Sequence, residues 1–451
     1  MKFFTKKSFA FLMAILMMFT LVACGGDKKE ETSAKTETVN TDGELVIGVT
    51  SFADTLEPTE QYFSWVITRY GVGENLVRFD EHGDLQASLA EEWKVSDDKL
   101  TWEFKIRDGV KFSNGNPLTA DAVKSSLERT FRKSKRAEGF FKATSIVADG
   151  QTLKISTEKP VAILPQCLAD PLFLIIDTSD NVEEYTTNAP ICTGPYVFKE
   201  FVPTEYAVVE RNENYWGGKP GLAKVTFKCI NDQSTRALSL KTGEIGIAYN
   251  LKIENKADFE GQDDINIQEL KSLRSTYAFM NQHGALGDLS LRQALIRALD
   301  KKAYTENLLG GAATPGKAPI PPTLDYGFDK LVDENAFNPE SAKEILAKAG
   351  YKDVDGDGFV EKPDGSKLEL NFVIYTSREE LKVYAQAAQA NLKDVGINVN
   401  LKTVSYETLL DMRDSGNFDL LIWNVLAANT GDPEKYLYEN WDSSSASNQA
   451  G

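Results

Sequence analysis

Residues 368 to 424 constrain the fold more than any other part of the chain. Residues 368–375 read as a strand, 381–395 as a helix stopped by Gly396, 398–404 as a second strand and 418–424 as a third. This β-α-β-α-β rhythm builds a lobe on a parallel sheet, because parallel neighbours need a crossover long enough to hold a helix. The fold class is therefore α/β. Elsewhere strand-like and helix-like segments alternate without a fixed repeat period. The body opens on Glu44-Leu45-Val46-Ile47-Gly48-Val49, an apolar run read as a buried strand. Residues 101–106 alternate faces, and Arg107-Asp108-Gly109 supplies a turn. Residues 119–131 start at a cap-like Thr119 and carry Ala122, Val123 and Leu127 at helical spacing; 290–299 and 339–349 are similar helices. The natural division places a first lobe at 44–251 and a second at 252–451, beginning with the charged connector 252–264. Two α/β lobes joined in this way predict a ligand cleft between them.

Composition narrows the chemistry. With 50 Lys+Arg against 67 Asp+Glu, the 451 residues carry a formal charge of −17. Such a surface repels phosphate backbones, and no local basic patch offsets it, so nucleic-acid partners are excluded. His82 and His283 are the only 2 histidines. That scarcity disfavours Ser/His/Asp and Cys/His catalysis and rules out a metal held by several imidazoles. A hydrolase working with paired carboxylates is the remaining enzyme class, but no local spacing singles out a pair.

The N-terminus has the layout of an export signal. Lys2, Lys6 and Lys7 precede an apolar run from about Phe9 to Leu21, and Leu21-Val22-Ala23-Cys24 follows. That run is shorter than the ~20 residues a membrane-spanning helix needs. The last four residues resemble a bacterial lipobox, which implies that 1–23 is a lipoprotein signal peptide and that Cys24 is lipidated. Residues 24–43 are polar and aperiodic, a flexible tether. For Cys167, Cys192 and Cys229, spacing does not choose between one disulfide and three separate thiols.

Several motifs recur in order. Ala87-Ser88-Leu89-Ala90-Glu91-Glu92-Trp93 is followed by Leu100-Thr101-Trp102-Glu103-Phe104 and by Arg107-Asp108-Gly109-Val110-Lys111-Phe112-Ser113-Asn114-Gly115. Singly, they are aromatic core and hairpin turns. Pro117-Leu118-Thr119-Ala120-Asp121-Ala122-Val123, Thr193-Gly194-Pro195-Tyr196, Arg211-Asn212-Glu213-Asn214-Tyr215-Trp216-Gly217, Asp232-Gln233-Ser234-Thr235-Arg236-Ala237, Thr242-Gly243-Glu244-Ile245 and Leu291-Arg292-Gln293-Ala294-Leu295 extend the series. Together they resemble the signature of extracytoplasmic solute-binding protein family 5, the receptors of peptide and nickel ABC importers. The resemblance spans roughly 44–442. It implies a two-lobe, type II periplasmic-binding-protein-like fold with an extra subdomain in the first lobe and a hinge between lobes. It also implies a monomer tied to the outer face of the cell membrane by its lipid, handing a small solute to an importer permease, with no catalysis and no cofactor. Complete members return to the first lobe beyond a motif like Gly431-Asp432-Pro433. This sequence stops at Gly451, so the second lobe reads as truncated before that return.

The resemblance also supplies candidate ligand contacts. Dipeptide-binding relatives hold the peptide amine with an aspartate whose place here is taken by Asn429, and their carboxylate-binding arginine falls at Tyr375 or at Arg378. Nickel-binding relatives take the metal as a chelate gripped by arginines. Arg136 matches one of them, Asp170 stands where the second belongs, and no histidine occurs near 445–447 to reach the metal. Tyr62, Phe63, Trp65 and Trp423 fall where relatives line the cavity; core packing is the competing reading for each. The expected ligand is a nickel chelate of reduced negative charge, with a short peptide as the alternative. Asp353, Asp355, Asp357 and Gly358 begin like a calcium loop. Its twelfth position is Asp364 rather than Glu, and a strand rather than a helix follows, so a surface turn is expected.

Overall fold

The computed structural model describes residues 42–50, 53–81, 83–375, 379–428 and 430–445. The signal segment, Cys24, most of the tether, His82, Arg378 and Asn429 lie outside the described residues.

Three large apolar cores organise the chain, each against its own sheet. The first sheet has five strands in the order Ile247–Ala248, Gly43–Val49, Leu222–Cys229, Tyr206–Arg211 and Tyr196–Val202. Gly43–Val49 runs parallel to both neighbours and the remaining pairs are antiparallel. Leu56, Ile67, Val209, Val225 and Phe227 fill the core beside this sheet.

Between those strands the chain builds the extra subdomain, an antiparallel sheet ordered Ala90–Val95, Thr101–Ile106, Thr152–Thr157 and Ala143–Asp149. Helix Ala120–Lys133 covers it because Val123 and Leu127, one turn apart, point at Phe104, Leu153 and Ile155 in the same core. Thr119 caps the helix, its hydroxyl accepting from Ala122 N at 3.1 Å, an interaction worth about 1 kcal/mol. Glu74 sits where the chain enters the subdomain. Its carboxylate accepts from the Thr193 hydroxyl at 2.8 Å and from Trp216 Nε1 at 2.9 Å, while its backbone carbonyl accepts from the returning Ile175 N at 2.9 Å.

The second lobe follows the expected rhythm, with element ends shifted by one or two residues. Strands Glu369–Tyr375, Asn398–Val404 and Leu420–Leu426 are parallel and joined by helices Glu379–Asp394 and Tyr406–Ser415. The sheet is mixed rather than purely parallel. Strand Arg274–Met280 adds to the Leu420–Leu426 edge in antiparallel sense, with Tyr277 opposite Trp423. It arrives directly from the first lobe, so no crossover helix dictates its direction. Its side chains are half-buried, unlike the continuous apolar runs that mark a strand covered on both faces. Leu381, Ala385, Ala388 and Leu392, at spacings of four, three and four, line the buried side of their helix. The connector is not merely charged linker. It forms a short 3-10 turn, Ile253–Phe259, and buries Phe259 beneath the Lys241 ammonium at 5.8 Å.

No helix among the described residues is long and apolar enough to cross a membrane.

Candidate functional site

In parallel sheets the loops beyond the strands' carboxyl ends form the usual binding crevice. Tyr375 ends one such strand, and Tyr406 begins the helix that follows Asn398–Val404; their rings lie 5.4 Å apart. The helix starts there because Ser405 caps it, accepting from Thr408 N. Seven residues on, two helical turns, Arg413 returns to the same face. Its guanidinium carbon stacks over Trp423 at 4.9 Å, within cation–π range. Trp423 packs against Phe279, ring centres 6.0 Å apart, and is only 8% exposed.

The first lobe brings a matching group. Arg136 lies just past helix Ala120–Lys133, its guanidinium 4.0 Å from the Tyr62 ring centre, and it donates to the Gln61 carbonyl. Tyr62 meets Trp65 edge-on at 6.0 Å, and Arg69 covers the far ring at 4.8 Å. The two groups share one electrostatic field. Burial pushes the Tyr406 phenol up to about 12, neighbouring Tyr62 and Tyr375 add to the rise, and the positive charges of Arg413 and Arg136 oppose it. Tyr62, Arg136, Tyr375, Tyr406, Arg413 and Trp423 therefore form a cationic, aromatic cluster in a strongly acidic chain, on the side where a cleft between the lobes is expected.

The lobes also touch beside this cluster. Lys435, on helix Glu434–Trp441, places its ammonium 3.8 Å from the Phe140 ring centre. Gly431, at φ 72°, packs so closely on Phe79 that a Cβ there would meet the ring at 2.9 Å.

Not every predicted residue belongs to the cleft. Phe63 is 4% exposed and packs with Ala53 and Val66 in a small core, since the residue entering helix Ser64–Arg69 turns inward. Asp170 is 2% exposed and serves as a cap: Oδ1 accepts from Leu172 N at 2.9 Å and starts the short turn Pro171–Phe173. Burial raises its pKa, against the Leu172 bond and the charges of Arg136 and Lys435. It thus lies near the cluster, but behind its surface. Tyr406, Arg413 and Lys435 were missed by sequence reasoning. The i, i+7 spacing of Tyr406 and Arg413 after a parallel strand was a usable signal; Lys435 had none, because only the docking of the two lobes gives it meaning.

The remaining motifs resolve simply. Cys167, Cys192 and Cys229 are separate thiols, the first pushed up to about 12 chiefly by burial. His283 is exposed. In the calcium-like loop, Glu361 rather than Asp364 converges with Asp353 and Asp355, while Asp364 bonds Ser366. Asp353 already accepts from the loop's own Gly356 and Gly358 N–H groups, so the turn closes on itself.

Two lobes bringing polar and aromatic side chains together where they meet is the architecture of a solute receptor. Residues 84–448 match the model of the bacterial extracellular solute-binding proteins, family 5, and the chain belongs to that family. It is a substrate-binding protein of an ABC importer and is extracytoplasmic. It is similar to the probable D,D-dipeptide-binding periplasmic protein DdpA of Escherichia coli, 30% identical over 414 residues, 88% of this chain and 77% of the relative. It is also similar to the nickel-binding periplasmic protein of the same organism, 30% identical over 379 residues, covering 81% and 72% respectively. The crystal structure of NikA from Brucella suis in complex with Fe(III)-EDTA superposes with a TM-score of 0.81 at 28% identity, covering 91% of this chain and 84% of that one. The α/β periplasmic-binding-protein fold expected from the sequence is thereby shown.

Proposed function

We propose that this receptor captures nickel as a small-molecule chelate, closing its lobes by a hinge, and delivers it to the importer permease. The observation that carries this reading is the Arg136–Tyr62 stack facing Tyr406 and Arg413. Guanidinium groups on aromatic faces suit the carboxylates and flat rings of a chelator. Two relatives support it: the E. coli nickel-binding protein and the Brucella NikA that holds a metal–EDTA complex. The placement of Asp170 behind the surface agrees with an anionic guest, because a surface carboxylate would repel one. We further propose the lobe limits 44–251 and 252–451, and lipidation at Cys24 after removal of 1–23.

A thermal-shift titration of the full chain tests the ligand, using nickel alone, nickel with L-histidine, and the dipeptide Met-Leu. A ligand at ~100 times its dissociation constant adds ~2.7 kcal/mol. Stabilisation by nickel only together with histidine is the expected result. Stabilisation by the dipeptide alone overturns the chelate in favour of a peptide receptor, the activity named for DdpA. Lipidation is tested by Cys24→Ala, which should release the protein from the membrane fraction.

A further inference from the structure

The second-lobe wall of the cleft holds polar hydrogens that the protein itself leaves without acceptors. Trp423 Nε1 is buried with no hydrogen-bond partner, a state that a native interior rarely leaves uncompensated. The guanidinium stacked on the same indole is only partly engaged. Its Nε donates to Asp414 Oδ1 at 2.7 Å, and Nη2 lies at 2.7 Å from that same oxygen. Nη1 has no acceptor among the described residues, although a guanidinium offers five N–H donors. Across the cleft, Trp65 Nε1 is a second buried indole donor without a partner. The surplus on both walls is of donors, and one of the three, the Arg413 guanidinium, carries positive charge.

We propose that Arg413 and the Trp423 indole N–H together receive a carboxylate of the ligand on the second lobe, opposite Arg136 on the first. The guest is then an acceptor-rich anion held between two arginines, one from each lobe, so that it bridges the lobes as they close. The stacking distance of 4.9 Å is compatible with one carboxylate taking a hydrogen bond of about 2.9 Å from each group. Asp414 shares the guanidinium edge away from the guest and holds it flat against the indole. This assignment rests on the chelate reading above, and its test separates the two.

Calorimetry on the full chain would compare nickel with L-histidine and nickel with L-histidine methyl ester, which lacks the carboxylate. Arg413→Gln should weaken the histidine complex roughly 10- to 100-fold, the usual range for losing a charge-assisted hydrogen bond. It should barely affect the ester complex, because the bond it removes is already missing there. Trp423→Phe keeps the ring and removes the N–H, and should cost roughly five- to tenfold in the same ligand-dependent way. Arg413→Lys keeps the charge without the fork and should fall between. The ligand-free melting midpoint of each variant checks folding, and Arg413→Lys carries the test if Arg413→Gln does not fold. Equal losses for acid and ester, or none, overturn the assignment; if Arg136→Ala still weakens the histidine complex, the chelate reading survives alone. If neither nickel complex binds the wild-type chain, Met-Leu decides. Binding that Arg413→Gln weakens keeps the carboxylate grip and overturns the chelate, whereas unaffected or absent binding overturns both.

Discussion

The two walls of the cleft carry similar chemistry on very different supports. On the first lobe, Tyr62 is 40% exposed in a loop whose preceding residue, Gln61, has φ 41°, a left-handed conformation uncommon outside glycine. On the second, Tyr375 ends its strand and Trp423 lies at the middle of Leu420–Leu426, both within the large core that also holds Phe372 and Leu421. The first wall should therefore tolerate change and tune specificity, while substitutions in the second should also loosen the lobe.

The comparison breaks most visibly at Trp423. Trp423→Ala should cost about 3–5 kcal/mol of stability, the usual range for emptying a large aromatic site, measured by urea unfolding. Tyr62→Ala should cost less than about 0.5 kcal/mol, as surface changes do, yet still weaken ligand binding. Comparable losses at both positions would erase the distinction.

The exposed loop still needs an anchor, and the Glu57–Arg129 pair provides it. Two hydrogen bonds of 2.9 and 2.7 Å join the buried side chains, tying the loop to helix Ala120–Lys133. Removing one partner of such a pair costs about 3–5 kcal/mol, and Glu57→Gln, which keeps part of the bonding, should fall at the lower end. Burial opposes the Glu57 charge, but the bonds from Arg129 and Thr59 outweigh it and lower the pKa. The sign follows. The pair's contribution is present above the ordinary glutamate value of about 4.3 and lost as pH falls through the depressed folded value. The stability gap between wild type and Glu57→Gln should therefore close in acid; a gap unchanged at pH 3 would deny the charge its role.

Smaller effects sharpen the contrast. Arg136→Ala should cost no more than about 1 kcal/mol of stability, the range of an exposed cation–π contact, while reducing chelate affinity roughly tenfold, as expected for one charge-assisted bond. Lys435→Met removes a cation–π contact worth about 0.5–1 kcal/mol and should speed ligand dissociation a few-fold in a stopped-flow displacement assay.

Legibility in the sequence follows the range of the interaction. The helix 379–394 and its flanking strands were readable because one local period decides each of them. The edge strand at 274–280 was not, since half-buried alternation does not stand out beside fully apolar runs. Asp170 illustrates the same limit: Asp-Pro in sequence fits a cavity residue or a cap equally well, and only the bond to Leu172 N decides. Phe63 differs from Tyr62 by one step along a chain that turns inward at the helix start. Arg413 was within reach through its i, i+7 spacing from Tyr406, whereas Lys435 acquires meaning only when distant segments meet, and no spacing rule reaches that far.

The close packing of Gly431 on Phe79 bears on delivery rather than capture. A receptor is useful only if it lets go, and a side chain at 431 would act as a wedge, holding the mouth ajar by the width of a methyl group. The guest would still enter and still find its arginines, but the seal would never form, and cargo would leak back before reaching the permease. A side chain at this glycine is therefore expected to lower turnover of the importer more than affinity of its receptor.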